Sequence, residues 1–174
     1  ATTALFILDE RQRCVFMNPA AERLTGCTFA EARDRLLHAV VRRTRPGGGA
    51  PAVRDWPIDR AFEKNEREQG EEMFVHVDGH PYPVAFTASP LRDDAGRPIG
   101  TVVEVQDITA RKQAERALKE SEDRFRAMAN AAPAMLWVTD PDGSADFLSR
   151  AWLEYTGQDP ERAVGLGWLE ALHL

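Results

Sequence analysis

Residues 72–109 read EMFVHVDGHPYPVAFTASPLRDDAGRPIGTVVEVQDIT, and this stretch decides the fold. Glu72–Val77 is an extended run of alternating character. Asp78-Gly79 follows, a pair suited to a tight turn that needs positive φ. Tyr82–Leu91, with Pro83 near its start, forms the next strand. Asp93-Asp94-Ala95-Gly96 makes a second turn, and Ile99–Gln106 a final strand. Three consecutive strands joined by turns predict an antiparallel meander.

Upstream, Leu5-Phe6-Ile7-Leu8 and Cys14–Asn18 flank the polar turn Asp9–Arg13 and predict a hairpin. Pro19 suits a first helical turn, where its missing N–H is not needed. Ala20–Leu24 then forms a short helix that Gly26 ends. Thr28 with Glu31 is a capping-box pair for a helix through about Leu37. Arg42–Val53 holds Pro46, Gly47, Gly48, Gly49 and Pro51, and reads as a loop. Asp55 is placed to cap a helix with Pro57 in its first turn, running to about Lys64. The order of two strands, short helices and three strands predicts an α+β unit: a five-stranded antiparallel sheet with helices on one face.

After Asp107-Ile108-Thr109 the composition changes. Ala110–Asn130 is rich in Ala, Glu, Arg and Lys, lacks Gly and Pro, and predicts a helix. Ala114, Leu118, Ser121, Phe125 and Met128 form an a/d-like stripe along it. Pro133 ends the helix, and Met135-Leu136-Trp137-Val138 opens a new strand. From there the chain repeats its own beginning. Shifted by 131 residues, Asp9 falls on Asp140, Phe16 on Phe147, Ala20 on Ala151, Thr25-Gly26 on Thr156-Gly157, and Ala32 on Ala163. The expected organisation is a module over 1–109, a linker helix over 110–130, and the front part of a second module over 131–174. Such a front part is too short to bury its own surface. It is therefore expected to pack on the first module or on another chain, covering Trp137, Phe147, Trp152 and Trp168.

Hydrophobic residues make up 43% of 174, with four Trp and eight Phe, enough for a packed core. The formal charge of 22 − 28 = −6 argues against binding nucleic acid through its phosphates or docking on anionic lipid. No apolar run approaches the roughly 20 residues of a bilayer span. Neither a signal segment nor an initiator Met is present, so the chain reads as a piece of a longer protein. Two cysteines, Cys14 and Cys27, suit small core positions in a reducing cytoplasm.

Several short motifs now combine. Unit one carries Asn18-Pro19-Ala20-Ala21-Glu22, Leu24-Thr25-Gly26, Asp78-Gly79 with Pro83-Val84, and Asp107-Ile108-Thr109-Ala110-Arg111-Lys112. Unit two carries Trp137-Val138-Thr139-Asp140-Pro141-Asp142-Gly143 and Trp152-Leu153-Glu154-Tyr155-Thr156-Gly157. In this order they resemble the PAS/PAC sensory-box family, over nearly the whole chain. The second unit is similar to the PAS repeats of bacterial sensor histidine kinases. The resemblance implies a sheet in 2-1-5-4-3 order, a pocket between sheet and helices, and output through the terminal helix, with Asp107, Ile108 and Thr109 as the signal-transfer junction.

No phosphate loop, zinc-protease helix or nucleophile elbow occurs, so no enzyme is expected in the chain itself. His76 and His80 flank the Asp78-Gly79 turn, but a zinc site needs at least three ligands, and no metal site is expected. Photoreactive flavin-binding PAS domains use a Cys motif that is absent here. Their amide positions on strands three, four and five match the apolar Phe74, Val84 and Val105, which argues against a photoactive flavin. Heme-binding relatives use a helix or loop His. His38 is the one helical candidate in unit one, and a lone His there reads first as a structural residue.

Strand alternation puts Phe74, Val84, Phe86, Val103 and Val105 on one face. Phe6, Leu8, Phe16, Leu24, Leu36, Trp56 and Phe62 complete an apolar interior. Its plain reading is a filled core; the alternative is a pocket for a small apolar or aromatic ligand, anchored by His38, Thr101 or Tyr82. Met73, Val75, Val77 and Val102 form an apolar opposite face, so a homodimer through that face or through the linker helix is expected. The functional expectation is a cytoplasmic sensory and relay module of a sensor histidine kinase. The alternatives are the same module in a diguanylate cyclase or phosphodiesterase, or a ligand-free dimerisation spacer.

Overall fold

The computed structural model describes residues 3–41 and 56–173. The chain forms two compact units, 1–112 and 113–174. In the first, β1 (Ala4–Asp9) and β2 (Cys14–Met17) precede four short helices: α1 (Pro19–Thr25), α2 (Phe29–Ala32), α3 (Leu37–Val40) and α4 (Pro57–Lys64). Three longer strands follow: β3 (Glu68–Val75), β4 (Pro81–Arg92) and β5 (Pro98–Asp107). The sheet is five-stranded, in the order β2-β1-β5-β4-β3, with antiparallel pairing throughout. That is the order the resemblance implied. Helix α5 (Thr109–Ala131) leaves the sheet directly after β5.

Local chemistry explains the short elements. Asn18 caps α1, its Oδ1 accepting from Ala21 N at 2.8 Å, and Gly26 closes it at φ 71°, a conformation that favours glycine. The Thr28–Glu31 capping box is formed. Helix α2 nevertheless stops at Ala32 rather than continuing to Leu37. Asp34 adopts φ 59°, and the Cys14 and Asp34 amides bond Arg35 O and Cys14 O, which pulls this segment onto β2 instead. The expected loop over 42–53 and the cap at Asp55 lie outside the described residues. Helix α4 does run from Pro57 to Lys64.

Two strand boundaries differ from expectation. Strand β3 begins at Glu68 rather than Glu72 and ends at Val75 rather than Val77. It is an edge strand, so Glu68-Gln69-Gly70-Glu71 shows no apolar alternation to announce it. Phe16 is the second correction: it is 41% exposed and lies outside the interior. Phe6 pairs with Met17 and Ile7 with Phe16, so Met17 shares the buried face of Phe6 while Phe16 looks the other way.

The second unit contains β6 (Trp137–Thr139), β7 (Ala145–Leu148), α6 (Arg150–Thr156), α7 (Pro160–Ala163) and a 3-10 helix over Gly167–His173. It supplies its own small core from Ala145, Leu148, Trp152 and Ala163, with Leu153, Trp168 and Ala171 against them. Trp137, Trp152 and Trp168 pack together at ring separations of 5.3–6.5 Å. Phe147 lies 5.3 Å from Phe125 of α5. Within this unit three large indoles bury apolar area against one another; Phe147 and Trp152 are buried, whereas Trp137, expected to be covered, stays 49% exposed.

The repeat extends to individual hydrogen bonds. Leu5 N donates to Asn18 Oδ1 at 3.0 Å, and Leu136 N to Ser149 Oγ at 3.0 Å. Thr25 Oγ1 donates to Ala21 O, and Thr156 Oγ1 to Trp152 O, both at 2.9 Å. Asp9 accepts from the amides of Arg11 and Arg13, as Asp140 does from those of Asp142 and Ser144.

Candidate functional site

The interior of the first unit lies between the inner sheet face and the short helices. Phe6, Leu8, Trp56, Phe74, Val84, Phe86, Val103 and Val105 are all buried, at 3% exposure or less, and belong to one cluster. Pairing places Phe74 opposite Tyr82, Val84 opposite Asp107, and Phe86 opposite Val105. Trp56 and Tyr82 flank Phe74 at 6.5 and 6.4 Å. Leu24, Leu36, His38 and Phe62 are half-buried, at the margin rather than the centre. Leu37, Ile58 and Ala61, which the sequence reading passed over, hold the buried helix positions instead. A finer 3.6-residue count along Pro57–Lys64 would have found Ile58 and Ala61.

The proposed polar anchors are engaged by other groups of the protein. The Thr101 hydroxyl donates to Gln12 Oε1 at 3.1 Å, and the Tyr82 hydroxyl to Leu24 O at 2.8 Å. Burial, and then the Asp107 carboxylate, raise the Tyr82 phenol above its ordinary value, so it remains a donor. His38 meets Trp56 edge-on at 6.4 Å. Both cysteines are buried. Burial is the main cause pushing the Cys14 thiol up to about 11.

The junction is built from three elements. Ile108, 4% exposed, donates its N–H to Pro83 O of β4 at 3.0 Å. Asp107 Oδ1 accepts from Thr109 N at 2.7 Å, which satisfies the first amide of α5. Glu71 of β3 then reaches the first turns of the helix: its carboxylate receives Arg111 Nη2 and Lys112 Nζ, both at 2.7 Å. The Lys112 ammonium, then the Arg111 guanidinium, hold the Glu71 carboxyl below its ordinary value. Glu71 was not anticipated. Glu71 and Phe74 lie on opposite faces of β3, three residues apart, so one strand touches both the interior and the helix. On α5, Leu118 and Met128 are 63% and 65% exposed, and Ala114, Ser121 and Phe125 are exposed beside them. Among the described residues no helix is long and apolar enough to cross a membrane.

A sheet with a buried aromatic interior, tied at its edge to a departing helix, defines the class of small α+β sensory domains. The chain belongs to the PAS family: the family model described as the PAS fold matches residues 2–113, and one described as a PAS domain matches residues 123–173. The PAS domain of a Colwellia psychrerythraea protein superimposes with a TM-score of 0.53 at 20% identity, over 62% of this chain and 87% of that one. An RNA-binding light-oxygen-voltage receptor gives 0.57 at 28% identity, over 71% of this chain and 34% of that one. Among sequence relatives, the peroxide stress-activated histidine kinase mak1 of Schizosaccharomyces pombe is 32% identical over 49% of this chain. The probable diguanylate cyclase DgcE of Escherichia coli is 29% identical over 74% of it. A stretch of 69 residues is 56% identical to the uncharacterized protein y4lL of Sinorhizobium fredii. The chain spans 6% of the length of mak1, 8% of y4lL and 12% of DgcE.

Proposed function

We propose that the first unit is the sensing and relay module of a bacterial two-component histidine kinase, working in the cytoplasm as a homodimer. The observation that carries this reading is the contact of Glu71 with Arg111 and Lys112. A change in the interior that shifts β3 also shifts the root of α5, which then acts as a two-state output element. The stripe of Ala114, Leu118, Ser121, Phe125 and Met128 pairs with the same stripe of a second copy. The chain holds no catalytic site in this reading; the chemistry belongs to an output domain beyond α5. A kinase among the relatives supports this assignment. The cyclase relative, aligned over 74% of the chain, favours a second reading with a cyclase as output domain.

The test places Glu71→Lys in the full-length protein and follows phosphoryl transfer from ATP and cyclic dinucleotide synthesis from GTP. The kinase reading expects altered autophosphorylation, because two attractive contacts become repulsive. Altered cyclic dinucleotide synthesis alone selects the second reading. A folded variant with wild-type values in both assays overturns the relay role of this contact.

A further inference from the structure

The turn between β3 and β4 brings together three side chains that nothing above uses. The ligand atoms of His76, Asp78 and His80 all lie within 4.8 Å of one another. Nδ1 of His76 is 3.1 Å from Asp78 Oδ2, and Nδ1 of His80 is 2.5 Å from Asp78 Oδ1. The imidazoles stack at 4.9 Å with 24° between their planes, and each presents its Nδ1 to a different oxygen of the one carboxylate. The sequence expectation counted two histidines and stopped short of a site; folding of the turn adds the carboxylate as a third ligand.

The backbone holds this arrangement in place. His76 N donates to His80 O at 3.0 Å, Gly79 N to His76 O at 2.8 Å, and His80 N to Asp78 Oδ1 at 3.0 Å. Behind the turn, the ring of His76 rests on Gly26: a Cβ added there would meet Nε2 at 2.5 Å. Nδ1 is therefore the His76 nitrogen turned toward the carboxylate. That nitrogen faces two demands at once, the Asp78 carboxylate as an acceptor and the Asp78 backbone N–H at 3.4 Å as a donor. No single tautomer satisfies both. A cation beside the lone pair answers the carboxylate, and the long N–H contact is the weaker of the two to give up.

We propose that His76, Asp78 and His80 form a binding site for a divalent transition-metal ion of the zinc type. Two imidazole nitrogens and one carboxylate oxygen are the donor set that borderline metals take, with water completing a tetrahedron. Bonds of about 2.1 Å put tetrahedral ligands about 3.4 Å apart, which small side-chain rotations reach from the observed spacing. The site has a structural consequence. Val77 N donates to Thr25 O at 3.0 Å and Tyr82 Oη to Leu24 O at 2.8 Å, so the end of α1 already hangs on this turn. A bound ion fixes the turn and, through His76 and Gly26, that helix end.

The experiment titrates the 174-residue chain with Zn(II) by calorimetry and with Co(II) by visible absorption, beside His80→Gln, Asp78→Asn and the double variant His76→Gln/His80→Gln. Expected are one saturable equivalent, a Co(II) ligand-field band, and a rise in Tm with added Zn(II). His80→Gln and Asp78→Asn should each weaken binding about tenfold or more. Wild-type and double variant binding the ions alike, with no ligand-field band, overturns the site and assigns the uptake to other groups. Should the double variant unfold, His80→Gln and Asp78→Asn decide: each alters an exposed side chain, and wild-type affinity in both refutes the proposal.

Discussion

Replacing Phe74 by alanine separates a filled interior from a ligand pocket. Phe74 is fully buried, with Trp56 on one side and Tyr82 on the other. If protein atoms surround the ring on all sides, its removal costs the transfer free energy of the lost atoms plus that of the cavity left behind. For phenylalanine that is about 3–5 kcal/mol. Set against a typical total of about 5–15 kcal/mol, the loss is large but survivable. At about 4 °C or more per kcal/mol, the melting temperature of the first unit should fall by at least about 12 °C. Urea unfolding followed by circular dichroism gives the free energy, with the slope confirming that the same surface unfolds. The hole is walled by apolar groups and stays dry, so benzene or indole should restore part of the loss. A loss below about 1 kcal/mol at unchanged slope would refute the reasoning. It would mean that Phe74 borders open space, and that the interior is a pocket awaiting a ligand.

The buried thiol and the helix stripe each carry a further expectation. The buried Cys14 thiol titrates at about 11 in the folded state against 9.0 ordinarily, so the unfolded chain releases its proton first as pH rises. Stability should fall between those two values in the wild type and less so in Cys14→Ala; parallel pH profiles contradict the buried-thiol account. For the helix stripe, Leu118→Glu/Met128→Glu is the cleaner pair, because both side chains are more than 60% exposed while Phe125 also touches Phe147. Light scattering should show loss of a dimer, and a variant that stays dimeric rules out pairing through α5.

What the sequence made legible was local or periodic. The Asp78-Gly79 turn, the Thr28–Glu31 capping box and the Gly26 stop each involve groups within a few residues, so their chemistry is visible in a short window. Alternation along β4 and β5 put Val84, Phe86, Val103 and Val105 on the buried face. The misses were of another kind. Phe16 sits in Cys14-Val15-Phe16-Met17, apolar on both faces, and a one-residue choice of register flips every side chain. Asp34 takes positive φ because the chain behind it must pair with β2, which no cap signals. Glu71 meets Arg111 across 40 residues, and only the register of three strands brings them together.

The two units share a frame and differ inside it, and physics explains why these can vary separately. Asn18 and Ser149 are chemically different, yet each side chain accepts from the helix amide three residues on and from a backbone amide thirteen residues back. Any short side chain with an oxygen meets that demand, because the requirement is to satisfy buried backbone donors. The same holds for Asp9 and Asp140, each gathering two amides of a hairpin turn. Such contacts define where strands and helices run but say nothing about the volume between them. That volume is filled by Trp56, Phe74 and Tyr82 in one unit and by Trp137, Trp152 and Trp168 in the other. Close packing makes these groups sensitive to a single methylene, whereas the frame tolerates exchange of a whole side chain. Differences between PAS units on this frame should therefore arise first in the aromatic interior, and in the proposed relay they would reach α5 through contacts as few as those of Glu71.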